Sequence, residues 1–216
     1  DLLAKAAADA GRDPAEVRLL AVSKKKPAEL VREAAAAGQL EFGENQVQEG
    51  VDKIAAVGRD DLVWHFIGHL QSNKTRAVAG HFDWVHSVDR LKVARRLSEQ
   101  RPDALGDLQV LIQVNVDAEG SKSGATIDAV PDLATAVASL PGLRLRGLMC
   151  LPAMRQGFEA QREPFARLRE LAEKLRAAGL KLDELSMGMS ADYRAAIFEG
   201  STIVRIGTAV FGARQE

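Results

Sequence analysis

Eight short runs of β-branched and aromatic residues recur along the 216-residue chain, and most give way to a turn and then to an amphipathic stretch. Apolar runs of period two read as strands, and stretches of period 3.6 read as helices. The runs lie at 19–23, 41–45, 64–69, 84–88, 109–116, 143–151, 185–189 and 202–211. The fifth is the clearest, with Val110, Ile112, Val114 and Val116 in alternation. Helices are expected at 2–7, from Pro27 to a stop at Gly38, along the Val47, Val51 and Ile54 face, at 74–79, at 90–100 and at 192–198. A longer one carries Leu168, Leu171, Ala172 and Leu175, with Pro164 in its first turn and Gly179 at its end.

Strands that alternate with helices pair in parallel, and a count of eight favours a closed α/β barrel of the (β/α)8 TIM type over an open sheet. An open nucleotide-binding sheet would want a glycine-rich turn after its first strand, where Ser23-Lys24-Lys25-Lys26-Pro27 stands instead. No Pro/Gly/Ser linker divides the sequence, so residues 1–216 are expected to form a single domain. The chain opens at Asp1 rather than Met, and a few residues are expected to precede it.

Twenty-nine basic and 30 acidic side chains leave a formal charge of -1, which gives no broad field for nucleic acid or anionic lipid. A charged ligand must therefore be held locally. The single cysteine, Cys150, cannot form an internal disulfide and falls in an apolar strand, so it is expected in the core. No secretory signal or membrane-spanning run is evident, and a cytoplasmic monomer is the expectation.

In such a barrel the chemistry sits where strands end. Lys24 ends the first strand and shares a face with Leu20 and Val22. The Lys24-Lys25-Lys26 run reads either as solvated charge or as the source of a nucleophilic amine. A desolvated lysine beside other cations loses its proton more readily, and the neutral amine attacks carbonyls. Ser190 follows Gly188 at the end of the seventh strand, and Gly207 and Thr208 form a second glycine–hydroxyl pair in the eighth. Loops in those two positions commonly bind phosphate, although tight packing at the rim would also call for glycine. Arg205 is in phase with Ile203 and Gly207 in an apolar strand, so it should meet an acceptor inside the barrel or else an exposed acidic partner.

Amine, phosphate cradle and inward arginine together suit pyridoxal 5′-phosphate, and an arginine at its ring nitrogen argues against transaminase-like chemistry. His65 and His69 are four apart, which on a strand is roughly 13 Å, so no metal site is expected from them.

Five blocks are familiar in combination: Leu20-Ala21-Val22-Ser23-Lys24; Phe42-Gly43-Glu44-Asn45 with Gln48-Glu49; the segment from His65 to Lys74; Ser186-Met187-Gly188-Met189-Ser190-Ala191-Asp192; and the segment from Gly200 to Thr208. Together they resemble the pyridoxal phosphate homeostasis protein family from about residue 19 to residue 212. The resemblance implies a barrel like the N-terminal domain of alanine racemase and pyridoxal phosphate held as an aldimine (Schiff base). It also implies a role in vitamin B6 homeostasis, buffering the cofactor or delivering it to apo-enzymes, without established catalysis. By motif position it makes Lys24 the Schiff-base lysine and Ser190, Gly207 and Thr208 phosphate ligands. Arg205 becomes the partner of the ring nitrogen, and Asn45 lines the pocket. Lys25, Lys26 and Lys122 are expected on the solvated surface, with a second, weaker phosphate site as the alternative.

The rival reading is a racemase. In the racemases that this barrel resembles, a tyrosine from another domain supplies the second acid/base group, and 216 residues are expected to be too few for that domain. Tyr193, the only tyrosine, is expected to be a packing residue of the helix after the seventh strand.

Overall fold

The computed structural model describes residues 2–117 and 123–212. Helix α1 (Leu2–Asp9) leads to β1 (Arg18–Val22), and there follow α2 (Ala28–Ala36), β2 (Glu41–Glu44), α3 (Val47–Val57), β3 (Val63–Phe66), α4 (Thr75–His81), β4 (Trp84–Val88), α5 (Leu91–Gln100) and β5 (Leu108–Asn115). A two-residue strand, β6 (Ala125–Thr126), pairs with the end of β5. The chain continues through α6 (Val130–Ala138), β7 (Leu143–Cys150), α7 (Phe158–Ala177), β8 (Glu184–Ser186), α8 (Tyr193–Phe198), β9 (Ile203–Ile206) and α9 (Thr208–Phe211). Apart from β6 the strands close in the order β1-β2-β3-β4-β5-β7-β8-β9, with β9 parallel to β1, so the expected (β/α)8 barrel is what forms. No helix of the described residues is long and apolar enough to cross a membrane. Lys122 lies outside the described residues.

Period-two alternation gives the sheet two different linings. Its outward residues, among them Phe42, Phe66, Val110, Ile112 and Leu148, join Val31, Leu97, Phe165 and Leu168 of the helices in the largest buried cluster. Inside, Trp84, Leu111 and Met149 form a small apolar cluster. Beside it stand His65 and His86, both 0% exposed, with Ser186 and Arg205. Such an interior is more polar than the Val, Ile and Leu filling usual for this architecture.

The polar groups are linked in a column. Ser186 Oγ is 2.9 Å from His86 Nδ1, and His86 Nε2 is 2.9 Å from His65 Nδ1. His65 Nε2 then faces Glu41 Oε2 at 3.4 Å, and its ring stacks on Trp84 with centroids 5.3 Å apart. At the floor of the barrel Arg18 donates to Glu41 at 2.8 Å and to Glu184 at 2.6 Å. Arg18 and Arg146 both lie over the Trp84 ring, at 5.4 and 5.0 Å.

Several elements depart from the sequence reading: the third and seventh strands stop at Phe66 and Ser186 rather than at 69 and 189, and three further differences are larger. The eighth strand stops at Ile206, which pairs with Ala21, and residues 208–211 turn into α9. Beyond that pair β1 itself ends at Val22, so no ladder partner remains to hold the chain extended. The long helix α7 begins at Phe158, which puts Pro164 in its second turn rather than its first. Tertiary contacts hold the added turn: Phe158 packs edge-on against Phe198 at 5.0 Å, and Arg162 donates to Glu199 at 2.7 Å. Helix α6, whose apolar face the spacing analysis did not single out, buries Val130, Leu133, Ala134 and Val137.

Burial pushes both histidines well below their ordinary pKa, and the positive charge of Arg18 acts in the same direction. The folded protein therefore keeps them neutral at a pH where the unfolded chain binds protons on them. Stability from this source is fully present above the unfolded histidine value of about 6.5 and is lost as pH falls below it, by up to about 1.4 kcal/mol per pH unit for each histidine. Urea unfolding between pH 7 and pH 5.5 is expected to show this fall, with a shallower slope in His86→Asn; equal slopes would contradict it.

Candidate functional site

A cavity of about 480 Å³ opens at the C-terminal ends of the strands. All six residues singled out in the sequence, Lys24, Asn45, Ser190, Arg205, Gly207 and Thr208, line it. They come from the ends of β1, β2, β8 and β9, which are far apart in sequence and adjacent around the barrel.

Lys24 is carried on a turn fixed from beneath by buried charge. Lys53 of α3 donates to the Ser23 carbonyl at 2.7 Å, to Glu44 Oε1 at 2.6 Å and to Glu49 Oε1 at 3.0 Å. Ser23 Oγ donates to the same Glu44 oxygen at 2.6 Å. Burial pushes the Glu44 carboxyl up, while Lys53 and Ser23 hold it down. The Lys25 amide donates to Glu49, and Lys25 takes a left-handed conformation with φ 59°. That reversal leaves Lys25 exposed and Lys24 half-buried at the cavity wall. Lys26 Nζ donates to the carbonyls of Phe211 and Gly212, at 3.0 and 3.2 Å, so it ties the end of α9 to the β1 turn. Of the three lysines, Lys24 alone borders the cavity.

The adjoining wall, beyond β9, is built from two glycine-bearing turns. Gly188 has φ 92°, and a Cβ there would stand 2.6 Å from the Ala196 Cβ, so only glycine fits the bend. The loop after it is closed when the Met189 amide donates to Asp192 Oδ1 at 2.6 Å and the Tyr193 amide donates back to the Met189 carbonyl at 2.8 Å. Ser190 is thereby held at the tip, exposed. Gly207 precedes α9, whose Val210 and Phe211 amides donate back to the Gly207 carbonyl at 3.0 and 2.9 Å, and both Gly207 and Thr208 border the cavity. Hydroxyls and glycine-bearing turns around one concavity suit a phosphate.

Arg205 lies between these walls. It is 4% exposed, and it donates to Ser186 Oγ at 2.7 Å and to the Cys150 carbonyl at 2.9 Å. No carboxylate of the described residues is within ion-pair distance of it, which removes the alternative of an exposed salt bridge. Burial lowers its pKa from the usual guanidinium value. Burial also pushes the Cys150 thiol up to about 12, which suits a core residue rather than a nucleophile. Tyr193 packs with Ile197 and Val204 and does not line the cavity.

Sequence reasoning missed several lining residues. Gln113, which donates to the Ser123 carbonyl at 3.1 Å, is in phase with the inward Leu111 of β5, and that phase was the available signal. His69 borders the mouth, apart from His65, which pairs with His86 instead. Gly68 has the tightest role: a Cβ there would stand 2.0 Å from the Asn45 carbonyl oxygen, so the two strand ends can approach only with glycine at this position.

Residues 4–215 match the family described as alanine racemase, N-terminal domain. A Pseudomonas aeruginosa protein named pyridoxal phosphate homeostasis protein is 61% identical over 210 residues, covering 97% of this chain and 90% of its own length. The protein of that name from Escherichia coli K12 is 54% identical over 222 residues, covering 99% and 93%. Among solved structures, PipY of Synechococcus elongatus with PLP bound superposes with a TM-score of 0.85 at 37% identity, over 97% of this chain and 100% of that one. The alanine racemase of Corynebacterium glutamicum shares the fold at 16% identity, with a TM-score of 0.74, over 98% of this chain and 59% of that one. With a family match over nearly its whole length and relatives this similar, the chain belongs to the pyridoxal phosphate homeostasis protein family, built on the alanine racemase N-terminal domain.

Proposed function

We propose that this protein holds pyridoxal 5′-phosphate covalently through Lys24, as a Schiff base, and buffers it or delivers it to apo-enzymes without turning over a substrate of its own. The observation that carries the reading is that Lys24, Arg205, Ser190, Gly207 and Thr208 border one cavity. The donor set fits the group: an amine for an aldehyde, a guanidinium for a pyridine nitrogen, and hydroxyls with glycine-flanked amides for a phosphate. The relatives support it as well, since one is named for pyridoxal phosphate homeostasis and PipY is described with PLP bound.

Each residue has a separate task. Lys24 Nζ would be the group that holds the cofactor's aldehyde carbon, with water as the leaving group. Ser190, Thr208 and the amides around Gly207 bind the phosphate, and Asn45 shapes the wall that Gly68 brings close. A guanidinium donates and never accepts, so a pyridine nitrogen facing Arg205 is held without a proton. The bound cofactor supplies an electron sink, and this pairing weakens it, in keeping with storage rather than turnover. Tyr193 packs against the α1–α8 cluster and is not among the residues that line the cavity, which weighs against the rival racemase reading. A cytoplasmic location belongs to the same proposal, because apo-enzymes that use the cofactor are the expected recipients.

A protein-bound aldimine band that persists after free pyridoxal phosphate is removed is expected in the wild type and absent in Lys24→Ala; an unchanged band in the variant would overturn the assignment of the lysine. Pyridoxal without its phosphate should bind weaker by roughly a hundredfold, and equal affinity would count against the cradle. Incubation of the loaded protein with single enantiomers of alanine and other amino acids should leave them unchanged. Tyr193-dependent interconversion would establish the racemase instead.

A further inference from the structure

The column inside the barrel has only one consistent arrangement of its hydrogens. Arginine can only donate, so Ser186 Oγ accepts from Arg205 Nη1, and the acceptor in reach of the Ser186 hydrogen is His86 Nδ1. His86 is neutral and then carries its hydrogen on Nε2, which donates to His65 Nδ1. His65 in turn carries its hydrogen on Nε2, facing Glu41 Oε2, and among the described residues neither of these two buried atoms has another hydrogen-bond partner. The hydrogen bonds from Arg205 Nη1 through Ser186, His86 and His65 therefore all run away from the cavity, and the series ends on a carboxylate that also takes Arg18.

We infer that Ser186, His86 and His65 are positioning residues for Arg205, a relay that fixes its guanidinium so that its remaining N–H groups meet the ring nitrogen of the bound cofactor. The inference rests on the cofactor reading above and extends it to three residues that do not touch the ligand. Two features support it. Ser186 and the Cys150 carbonyl take two of the five guanidinium hydrogens and so set the plane of the group. Ser186 Oγ could otherwise rotate, and His86 pins its hydrogen. Proton conduction is not the role, because the upper end of the column is an arginine, which keeps its proton in proteins.

The test has two arms. In the ligand-free protein, imidazole 15N NMR is expected to show His65 and His86 protonated on Nε2 and bare on Nδ1; a hydrogen on His86 Nδ1 would overturn the relay. In the second arm, dissociation constants are measured for pyridoxal phosphate and for its 1-deaza analogue, which keeps aldehyde and phosphate but has carbon in place of the ring nitrogen. Ser186→Ala and His86→Leu should each weaken pyridoxal phosphate about tenfold and leave the analogue unchanged. His86→Asn, whose side-chain oxygen can replace Nδ1 as the acceptor, should restore most of the loss. If both ligands weaken equally, or neither changes, the positioning role is overturned while the cofactor reading stands. If the wild type fails to bind pyridoxal phosphate, the cofactor reading itself falls, and the relay's role falls with it.

Discussion

A guanidinium held inside a closed parallel barrel has to be surrounded by acceptors, and the interior of this protein is arranged around that demand. Taking such a charge out of water costs several kcal/mol unless hydrogen bonds replace the lost hydration. Arg205 meets the requirement through a serine hydroxyl and a backbone carbonyl, with no contacting carboxylate among the described residues. The serine is tied to two histidines, and the histidines end on the charged floor of Glu41, Arg18 and Glu184. The polar filling thus spans the barrel from cavity to base. An apolar filling of the usual kind would have removed the hydroxyl and left the arginine only the Cys150 carbonyl of its two anchors.

That arrangement works because stability is supplied elsewhere. The large apolar cluster lies between the sheet and its helices, whereas the apolar part of the interior is a small group around Trp84, Leu111 and Met149. Outward residues of each strand hold the fold, and inward residues are free to serve the site. The lysine turn follows the same logic, since its anchors, Lys53 and Glu44, lie on the helix side of the sheet and leave the cavity side to Lys24.

Much of this was legible in the sequence wherever a single strand carried the information. The phase that joins Lys24 to Leu20 and Val22, and Arg205 to Ile203, predicts which side chains point inward, and the structure has both at the cavity. The ends of strands were less legible, because they depend on neighbours: β9 stops where β1 stops, and Thr208 and Val210 give no local sign of it. The pairing of His65 with His86 was hidden for a related reason. It is set by the stagger between strands, and the local spacing drew attention to His65 and His69 instead. Pro164 misled because its usual place is the first turn, and only contacts with Phe198 and Glu199 extend α7 ahead of it.

The second anchor of Arg205 is a main-chain carbonyl, that of Cys150. A carbonyl survives every side-chain replacement, so this anchor is invisible to mutation and common to any residue placed at that position. Variation can therefore retune the arginine from one side only, through the hydroxyl at position 186 and whatever stands behind it. If Arg205 faces the cofactor's ring as proposed, the chemistry there would be expected to drift along a lineage by changes in the barrel's hidden interior.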